Sequence, residues 1–563
     1  MKKLVSFVAF ALLICFVATA FVACATEQTQ VDQLVVYNWA DYIYDTKLDE
    51  FKQYYHDLTG KDIQITYVTF DTNETMLTRL TQGDSSVDVV CPSEYAIQKL
   101  IESNMLVPLN YFNKVEYRKG LSLTDEQFEE FFNGGDSVDG VVVDSGNIEQ
   151  GIIDKVSATF GNLTIDETGE VVSMIDYFVP YMYGTLGILY NKYAFMDLGI
   201  YDYDIMNKAN WGILFNDNGD GELLSEGLTG NILMKDSIRD SYAATIFYML
   251  QRGMLDGLTN SDQLAYNDMP ANDLINAVDD QLLQLCREVL TKQKSQLFGY
   301  EVDFGKDDLL QGNAIVDLAW SGDALYAVEE SWNDELGEEG DYELAYYVPN
   351  GAGNIWFDGW VVPKTYNPAH MEQIKIFINW LNMPEVAAEN MLEIGYTSAV
   401  DRDVVRQDDN ARAVLAEGYL VNAPEYWEML DEKGNKIQEF DFDSWEEFEH
   451  YFFGGFNNED FDEDFNEMDD SNWRYPLLSA EWNEDNNRNL DSLGVMQDFG
   501  GNNKKVVTMW NYARSAGVSA LPLLGWTALA VAVAVGLLYL VIWLKRIKNS
   551  KVKLDNSTPN DVH

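Results

Sequence analysis

Three separate segments of the chain place a large aromatic side chain close to a carboxylate. They are Trp39-Ala40-Asp41-Tyr42, Trp320-Ser321-Gly322-Asp323 and Trp356-Phe357-Asp358. Aromatic faces pack methylene groups and attract ammonium groups by about 0.5 to 2 kcal/mol, while carboxylates supply charge-assisted hydrogen bonds. The pattern therefore suits a flexible ligand that is apolar in its middle and cationic at its ends. The alternative is that Trp39 and Tyr42 are ordinary core aromatics.

Two further segments place polar and charged side chains after predicted strands. Pro92-Ser93-Glu94-Tyr95 follows one strand, and Asp236-Ser237-Ile238-Arg239-Asp240 follows another. At a strand end a carboxylate must find a partner, which favours a role in binding for Asp240. The structural alternative is that Asp236 caps the next helix and that Arg239 pairs with Asp240.

The elements that must position these residues follow an alternating pattern. Short β-rich runs alternate with helical stretches from residue 34 to residue 110, which predicts a mainly parallel sheet in an α/β lobe. In such sheets ligands bind beyond the carboxyl ends of the strands, where Trp39 and Tyr95 would both lie. The predicted elements are strands at 34–37, 63–70 and 87–91 and helices at 45–58 and 73–82.

A second α/β pattern begins at residue 186 and ends with a strand at 314–320 that is expected to return to the first lobe. We therefore expect two lobes joined by crossing segments around a cleft that can close on a solute. The expected division assigns 31–185 and 321–396 to lobe 1, with an insertion at about 111–172. Lobe 2 comprises 186–320 and 397–510, with an acidic insertion at about 417–473.

Composition excludes several classes of function. The chain has 37 basic and 93 acidic residues, for a net charge of −56, which argues against nucleic acid or anionic lipid as a main partner. The four histidines are not at metal-ligand spacing, and Cys91 and Cys286 are expected to be buried free thiols. Residues 216–221 resemble the start of a calcium loop, but Gly227 stands where that loop needs a bidentate Glu, which favours a plain turn.

Both ends of the chain have features of export and membrane attachment. Residues 1–24 resemble a secretory signal, after which Cys24 could be lipidated, removed with the signal or retained. Residues 520–544 form an uncharged apolar stretch long enough for a transmembrane helix. The basic tail 545–563 predicts a cytoplasmic end, and hence an extracellular position for the body of the chain.

In this order along the chain, several motifs resemble those of the spermidine/putrescine-binding proteins, which are the extracellular receptors of polyamine ABC transporters. The matching segments are residues 37–42, 73–76, 92–95, 180–185, 236–240, 320–323, 356–358 and 394–397. The two insertions and the apolar stretch 520–544 have no counterpart in that family. Ala40 stands where Ser or Thr is common and Ser237 replaces an acid, so the choice between spermidine and putrescine stays open.

The resemblance implies an α/β, two-lobed periplasmic-binding-protein fold with a central ligand cleft, and a polyamine lying along it. It implies that aromatic residues surround the methylene groups and that acids hold the ammonium groups, without catalytic residues, metal or cofactor. Partners would be the polyamine, the permease and ATPase subunits, and the membrane through the C-terminal helix. The expected ligand-binding residues are Trp39, Asp41, Tyr42, Ser93, Tyr95, Asp240, Trp320, Asp323, Trp356, Asp358 and Glu389.

Two alternative functions remain open from the sequence. Carboxylates beside tryptophans also occur in the clefts of enzymes that cleave sugars, although no acid here is singled out as a proton donor. The chain could also bind another small solute, such as an amino acid, a different cation or ferric ion. Ferric binding usually requires paired tyrosines with an anion, whereas the tryptophans here are better suited to methylene groups.

Overall fold

The computed structural model describes residues 31–44, 46–82, 87–109, 147–200, 210–331, 344–349, 353–401, 404–405, 408, 410–411, 414, 427–430, 436–440 and 493–516. The predicted signal segment, the membrane span 520–544 and the tail 545–563 lie outside these residues. None of the helices in the described part of the chain has both the length and the apolar character of a membrane span.

The first lobe is built on a small parallel sheet. Its strands have the order β2-β1-β3, and an isolated bridge between Val90 and Val361 joins this sheet to the segment after β11. The elements of its amino-terminal part are β1 (Asp32–Trp39), α1 (Lys47–Thr59), β2 (Ile63–Phe70), α2 (Asn73–Thr81), β3 (Val89–Val90), α3 (Glu94–Glu102), α4 (Gln150–Phe160), β4 (Leu163–Thr164) and β5 (Val171–Val172).

The second sheet is organised around one long strand, β6 (Val179–Asn191), which is buried along its whole length. The first half of β6 pairs with β11 (Gly353–Trp360) and β12 (Thr397–Ser398), and the second half pairs with β9 (Val316–Trp320) and β10 (Leu344–Tyr347). The partner changes at Leu186, which lies opposite both Asn354 and Trp320. A single strand therefore runs from one lobe into the other.

The second lobe continues the sheet outward from β9. Its strand order is β6-β9-β7-β8, and β7 is parallel to both of its neighbours. The elements of this lobe are α5 (Lys192–Asp197), β7 (Ile232–Lys235), α6 (Ile238–Gln251), α7 (Ala271–Leu274), α8 (Asp280–Gln293), β8 (Leu297–Glu301), α9 (Gly305–Leu310) and α10 (Ser321–Ser331).

Later segments complete both lobes. Helices α11 (Met371–Leu381) and α12 (Pro384–Ile394) contribute to the first lobe, whereas α13 (Asn503–Ser515) packs on α8 in the second. Between them β15 (Leu493–Gly494) pairs with β11. In the region of the acidic insertion, β13 (Trp427–Leu430) and β14 (Lys436–Phe440) form an antiparallel pair.

The packing of the apolar cores differs from the division expected at residue 320. Ala324, Val328 and Tyr346 belong to a core cluster with Leu189 and Leu233, so α10 and β10 pack with the second lobe. The chain returns to the first lobe at β11, whose residues Ile355 and Phe357 share a cluster with Tyr37 and Val90. In the same way β12 pairs with the first half of β6, although residue 397 was expected to open a lobe-2 segment.

Most of the elements predicted near the amino terminus are confirmed. Strand β2 has the predicted bounds, and α1 buries Lys47, Phe51 and Tyr55 at fourfold spacing before Gly60 ends it with a positive φ of 72°. Strand β3 is shorter than expected. Helices α7 and α8 are separate, because Asp279 caps a new helix by accepting from the N–H groups of Gln281 and Leu282.

Candidate functional site

A cavity lies between the two lobes, and residues at the carboxyl ends of several strands line it. Its empty volume is about 970 Å³, part of which is open to solvent. This central cavity is lined by Trp39, Ala40, Asp41, Tyr42, Phe70, Asp71, Thr72, Asn73, Glu74, Ser93, Glu94, Tyr95, Ser237, Asp240, Val302, Asp303, Lys306, Trp320, Asp323, Trp356, Asp358, Tyr396 and Met496. Among the described residues, eight of these are acidic and seven are aromatic.

The position of each wall follows from the sheet topology. Strands β1, β2 and β3 are parallel, so the residues after their carboxyl ends meet at one edge of the first lobe. The second lobe contributes residues that follow β7, β8 and β9. Along β6, Trp356 lies opposite Gly184 and Trp320 lies opposite Leu186, two positions further on. Residues two apart on a strand share a face, so both indoles approach the same side of the sheet.

Gly184 is required by the position of the Trp356 indole. A Cβ atom at residue 184 would lie 2.5 Å from Cζ2 of Trp356 and 2.3 Å from the Ser321 hydroxyl oxygen. Gly322 has the same relation to Tyr396, whose ring would lie 2.2 Å from a Cβ at residue 322. The rings of Trp356 and Tyr396 meet edge to face with centroids 5.6 Å apart, so these two glycines fix one aromatic wall of the cavity.

Asp358 is a buried carboxyl with an incomplete set of partners. Its Oδ2 accepts a hydrogen bond of 2.9 Å from the Tyr42 hydroxyl, whereas Oδ1 accepts none from the described residues. Burial raises the pKa of Asp358 to about 7, although the hydroxyls of Ser93 and Tyr42 favour the ionised form. A cation in the cavity could supply the missing interaction.

Glu94 is a second buried carboxyl beside Asp358. Its Oε2 accepts a 3.0 Å hydrogen bond from the backbone N–H of Phe357, and its Oε1 has no partner among the described residues. Burial raises the pKa of Glu94 to about 8, which the Phe357 N–H opposes. The backbone of the Trp356-Phe357-Asp358 segment is therefore tied to the start of α3.

Asp240 is a buried acid of the second lobe, and its charge contributes to the raised pKa values of Glu74 and Asp358 in the first. It accepts a 3.3 Å hydrogen bond from Nε1 of Trp320. Burial raises the pKa of Asp240, although the contacts of Ser237 and Trp320 and the charges of Lys235 and Arg239 favour the ionised form. On the opposite side Tyr95 donates a 3.3 Å hydrogen bond to Glu74, whose pKa burial also raises. This part of the cavity therefore concentrates carboxyl groups that are costly to ionise without a cation.

Asp323 differs from these acids because it already has a cationic partner. Nζ of Lys306 lies 3.1 Å from Oδ1 of Asp323, and their side chains are 18% and 13% exposed. Nearby, burial raises the pKa of Asp303 to about 6, with a further contribution from the charge of Asp323. Lys306 is the one cationic side chain among the described residues that line the cavity.

Ten of the eleven predicted ligand-binding residues line the central cavity. They are Trp39, Asp41, Tyr42, Ser93, Tyr95, Asp240, Trp320, Asp323, Trp356 and Asp358. Glu389 does not join them, because it lies on α12 and forms an ion pair with Lys47 of α1. Two of the ten cavity residues keep an unused hydrogen-bond donor. The Nε1 atoms of Trp39 and Trp356 are buried without a partner in the described part of the chain.

Several lining residues were not selected from the sequence. Glu94, Glu74 and Tyr396 lie within motifs that the sequence did single out, so neighbouring positions gave a signal that could have found them. Asp71 directly follows Phe70 at the end of β2, so the aromatic-acid pattern could have found it as well. Asp303 lies between β8 and α9 and Lys306 lies in the first turn of α9, and no pattern in the sequence indicated them.

Two structural alternatives considered for the sequence are decided by local contacts. Ser237, rather than Asp236, caps α6 by accepting from the N–H of Asp240, while Asp236 pairs with Arg514 at 2.8 Å. Arg239 donates to Asn276 at 2.6 Å, and so points away from a simple pair with Asp240. The structural alternative in which Asp236 caps the helix is therefore not found, because the Ser237 hydroxyl accepts from the free N–H group.

The calcium-like loop is a turn within the second lobe. Asp217 accepts hydrogen bonds from the Arg252 guanidinium and the Tyr248 hydroxyl, at 3.0 and 2.8 Å. Positive φ values of 96° and 94° at Gly219 and Gly221 form the turn. Within the described ranges no cluster of His, Cys, Asp and Glu has the arrangement of a metal site. Cys91 and Cys286 are both buried and free, as predicted.

Comparison with known proteins finds that this chain is similar to bacterial solute-binding proteins. The family model of bacterial extracellular solute-binding proteins matches residues 46–416. The putrescine-binding periplasmic protein SpuD of Pseudomonas aeruginosa is 24% identical over 363 residues, covering 63% of this chain and 75% of that protein. The spermidine/putrescine-binding periplasmic protein of Salmonella typhimurium is 22% identical over 373 residues, covering 66% and 79%. The crystal structure of the TpPotD lipoprotein of Treponema pallidum is 16% identical, covers 86% of this chain and 99% of its own, and gives a TM-score of 0.49.

Proposed function

Since the chain belongs to the family of bacterial extracellular solute-binding proteins, we propose that it captures a linear polyamine, spermidine or putrescine, and delivers it to an ABC transporter permease. The family assignment also makes the chain a binding protein rather than an enzyme, and its two lobes form a periplasmic-binding-protein fold. The relatives SpuD and the Salmonella protein carry polyamines in their names, which supports this choice of ligand.

The observation that carries the proposal is the composition of the central cavity. Eight acidic and seven aromatic side chains surround one space among the described residues, and two of the acids, Glu94 and Asp358, have oxygens without a partner there. Ammonium groups would supply these oxygens with charge-assisted hydrogen bonds, and the indoles would cover the methylene groups between them. A sugar or a neutral amino acid would leave several buried carboxylates without a counter-charge.

Closure of the lobes would complete the site. Trp39, Tyr42 and Trp356 belong to the first lobe, whereas Asp240, Trp320 and Asp323 belong to the second. A ligand that touches both groups stabilises the closed arrangement by its differential affinity for it. The chain passes between the lobes along β6, between β10 and β11, and between β15 and α13.

Calorimetric titration of the purified chain with putrescine, spermidine and spermine tests the proposal. We expect at least one of these amines to bind at micromolar or lower concentration. The matched control is butane-1,4-diol, which has the same carbon chain as putrescine but no ammonium group, and we expect it not to bind. Failure of all three amines to bind, or equal binding of the diol, would remove the polyamine assignment.

Attachment to the membrane forms the second part of the proposal. The uncharged stretch 520–544 and the basic residues that follow it support an anchor that holds the two lobes outside the cell. Such an anchor raises the concentration of the receptor near its permease. Cell fractionation tests this: the full chain should sediment with membranes, and deletion of residues 520–544 should release it unless an amino-terminal lipid retains it.

A further inference from the structure

The end of the central cavity nearest Asp323 already contains a cation that belongs to the protein. Lys306 is the first residue after Gly305 at the start of α9, and its Nζ lies 3.1 Å from Oδ1 of Asp323. Both side chains are more than four-fifths buried, and both line the cavity. We propose that Lys306 occupies the position of a ligand ammonium group at this end, and so selects a diamine over a triamine.

The surroundings of Lys306 fit a permanently charged group. The same ammonium lies 5.4 Å from the centroid of the Tyr326 ring, which adds a cation–π contact. Although burial lowers the pKa of Lys306, the carboxylate of Asp323 and the more distant Asp41 raise it above its usual value. Lys306 is therefore charged at neutral pH, and the carboxylate of Asp323, which would otherwise face a third ligand ammonium, holds the lysine instead.

A second lysine has the same effect on the neighbouring indole. Nζ of Lys235 lies 4.4 Å from the centroid of the Trp320 ring, and it pairs with Glu301 and, at 3.8 Å, with Asp317. One face of Trp320 is therefore in contact with a protein ammonium before any ligand enters. At the Asp358 end no lysine takes this role within the described residues, and the carboxyl groups there keep partnerless oxygens.

These contacts divide the acids of the cavity into two sets. Asp358 and Glu94 keep oxygens without a partner among the described residues, whereas Asp323 is paired directly with Lys306. Asp240 is intermediate, because it accepts from Trp320 and lies near the charges of Lys235 and Arg239. A diamine can use the carboxyl groups that have partnerless oxygens. The additional aminopropyl arm of a triamine would have to displace Lys306 or approach it, and two ammonium groups at close range repel each other. This inference rests on the proposed polyamine function and specifies the chain length that the cavity accepts.

The test compares affinities for putrescine and spermidine in wild type and in Lys306→Met, which keeps an unbranched side chain without charge. We expect the wild type to favour putrescine, and the variant to shift the ratio of the two dissociation constants at least tenfold towards spermidine. The double variant Lys306→Met/Asp323→Asn removes both charges, and should return the ratio to within about threefold of wild type. Lys61→Met is the matched control, because Lys61 pairs with Asp32 at 3.2 Å on the surface outside the cavity.

The outcomes separate this inference from the proposed function. If the wild type binds both amines and Lys306→Met leaves their ratio unchanged, the polyamine function stands and the role of Lys306 is refuted. If no amine binds, both fail. 4-Aminobutyrate provides a further arm, because it keeps the four-carbon chain and has a carboxylate in place of one terminal aminomethyl group of putrescine. Tighter binding of 4-aminobutyrate than of putrescine, lost in Lys306→Met, would show that Lys306 binds a ligand carboxylate and would overturn the inference.

Discussion

The two ends of the central cavity have the same sequence theme and different electrostatic states. One end is formed by Trp356 and Asp358, and the other by Trp320 and Asp323, each a tryptophan followed closely by an aspartate. Asp358 faces a tyrosine hydroxyl and keeps one oxygen without a partner among the described residues, whereas Asp323 faces Lys306. The same short pattern thus gives one site that requires a cation and one that already has it.

The difference shows why a motif alone does not define a binding subsite. A carboxylate attracts a ligand only to the extent that its charge is not already neutralised, and this depends on residues distant in sequence. Lys306 lies 17 positions before Asp323 and reaches it because α9 follows β8 beside the start of α10. We expect the two ends to respond differently to substitution, pH and repacking.

The largest effect is expected from Asp358→Asn. The amide cannot supply the charge-assisted hydrogen bond, so polyamine affinity should fall by about 10- to 150-fold, which corresponds to roughly 1.5 to 3 kcal/mol. Calorimetric titration measures this loss. Asp32→Asn is the matched control, because Asp32 also accepts from a tyrosine hydroxyl, that of Tyr55 at 2.7 Å, but lies outside the cavity. An unchanged affinity in Asp358→Asn would show that this end is not a binding subsite.

The next prediction concerns pH. With its pKa raised to about 7 by burial, Asp358 is largely protonated below that pH in the empty protein, and the nearby Glu94 and Asp240 are shifted in the same direction. An ammonium ligand binds the ionised form, so affinity should fall as pH decreases from about 8 through about 7, approaching tenfold per pH unit for each carboxyl that must lose a proton. Binding above that range should depend less on pH.

The same shift has a consequence for stability without ligand. A carboxyl whose pKa is higher in the folded than in the unfolded state holds its proton more tightly when folded, so the free energy of unfolding declines as pH rises from about 4 to about 7. A polyamine should offset this decline. Melting temperatures measured across that range with and without putrescine would check both signs, and a rise in stability of the empty protein with pH would contradict the assignment of Asp358.

A repacking variant should give an intermediate effect at the Asp358 end. Gly184→Ala places a methyl group 2.5 Å from the Trp356 indole, which must then move out of its position in the aromatic wall. We expect several-fold weaker binding of every polyamine, without a change in their order. The control is Gly299→Ala, where a Cβ meets no atom within 4 Å. Equal affinities in the two variants would mean that Trp356 does not contact the ligand.

The smallest effect is expected from Glu389→Gln. Glu389 pairs with Lys47 outside the cavity, so polyamine affinity should stay within about twofold of wild type. The free energy of unfolding should fall by roughly 1 kcal/mol or less, because Lys47 retains Glu50 as a partner. A large loss of affinity with an unchanged melting temperature would instead return Glu389 to the binding site.

Much of the first lobe could be predicted because its signals are local. The bounds of β2 and the start of α2 follow from alternation of apolar residues, a run of β-branched and aromatic side chains, and the cap at Thr72. The lobe boundary near residue 320 could not be predicted from the sequence. Helix α10 packs with β9 and β10 through alanines, and alanines would suit the core of either lobe. The membership of a helix in one core depends on which sheet is adjacent.

The sequence by itself determined which side chains could hold an ammonium-bearing ligand and that most of them follow strands. The period of apolar residues sets strands and helices, and parallel strands bring their carboxyl ends together. Only the tertiary structure decided which acids remain available to a ligand. It placed Lys306 on Asp323 and Lys47 on Glu389, and it left Asp358 buried beside Tyr42. Charge neutralisation depends on distances of a few ångströms between residues far apart in the chain, which no local pattern encodes.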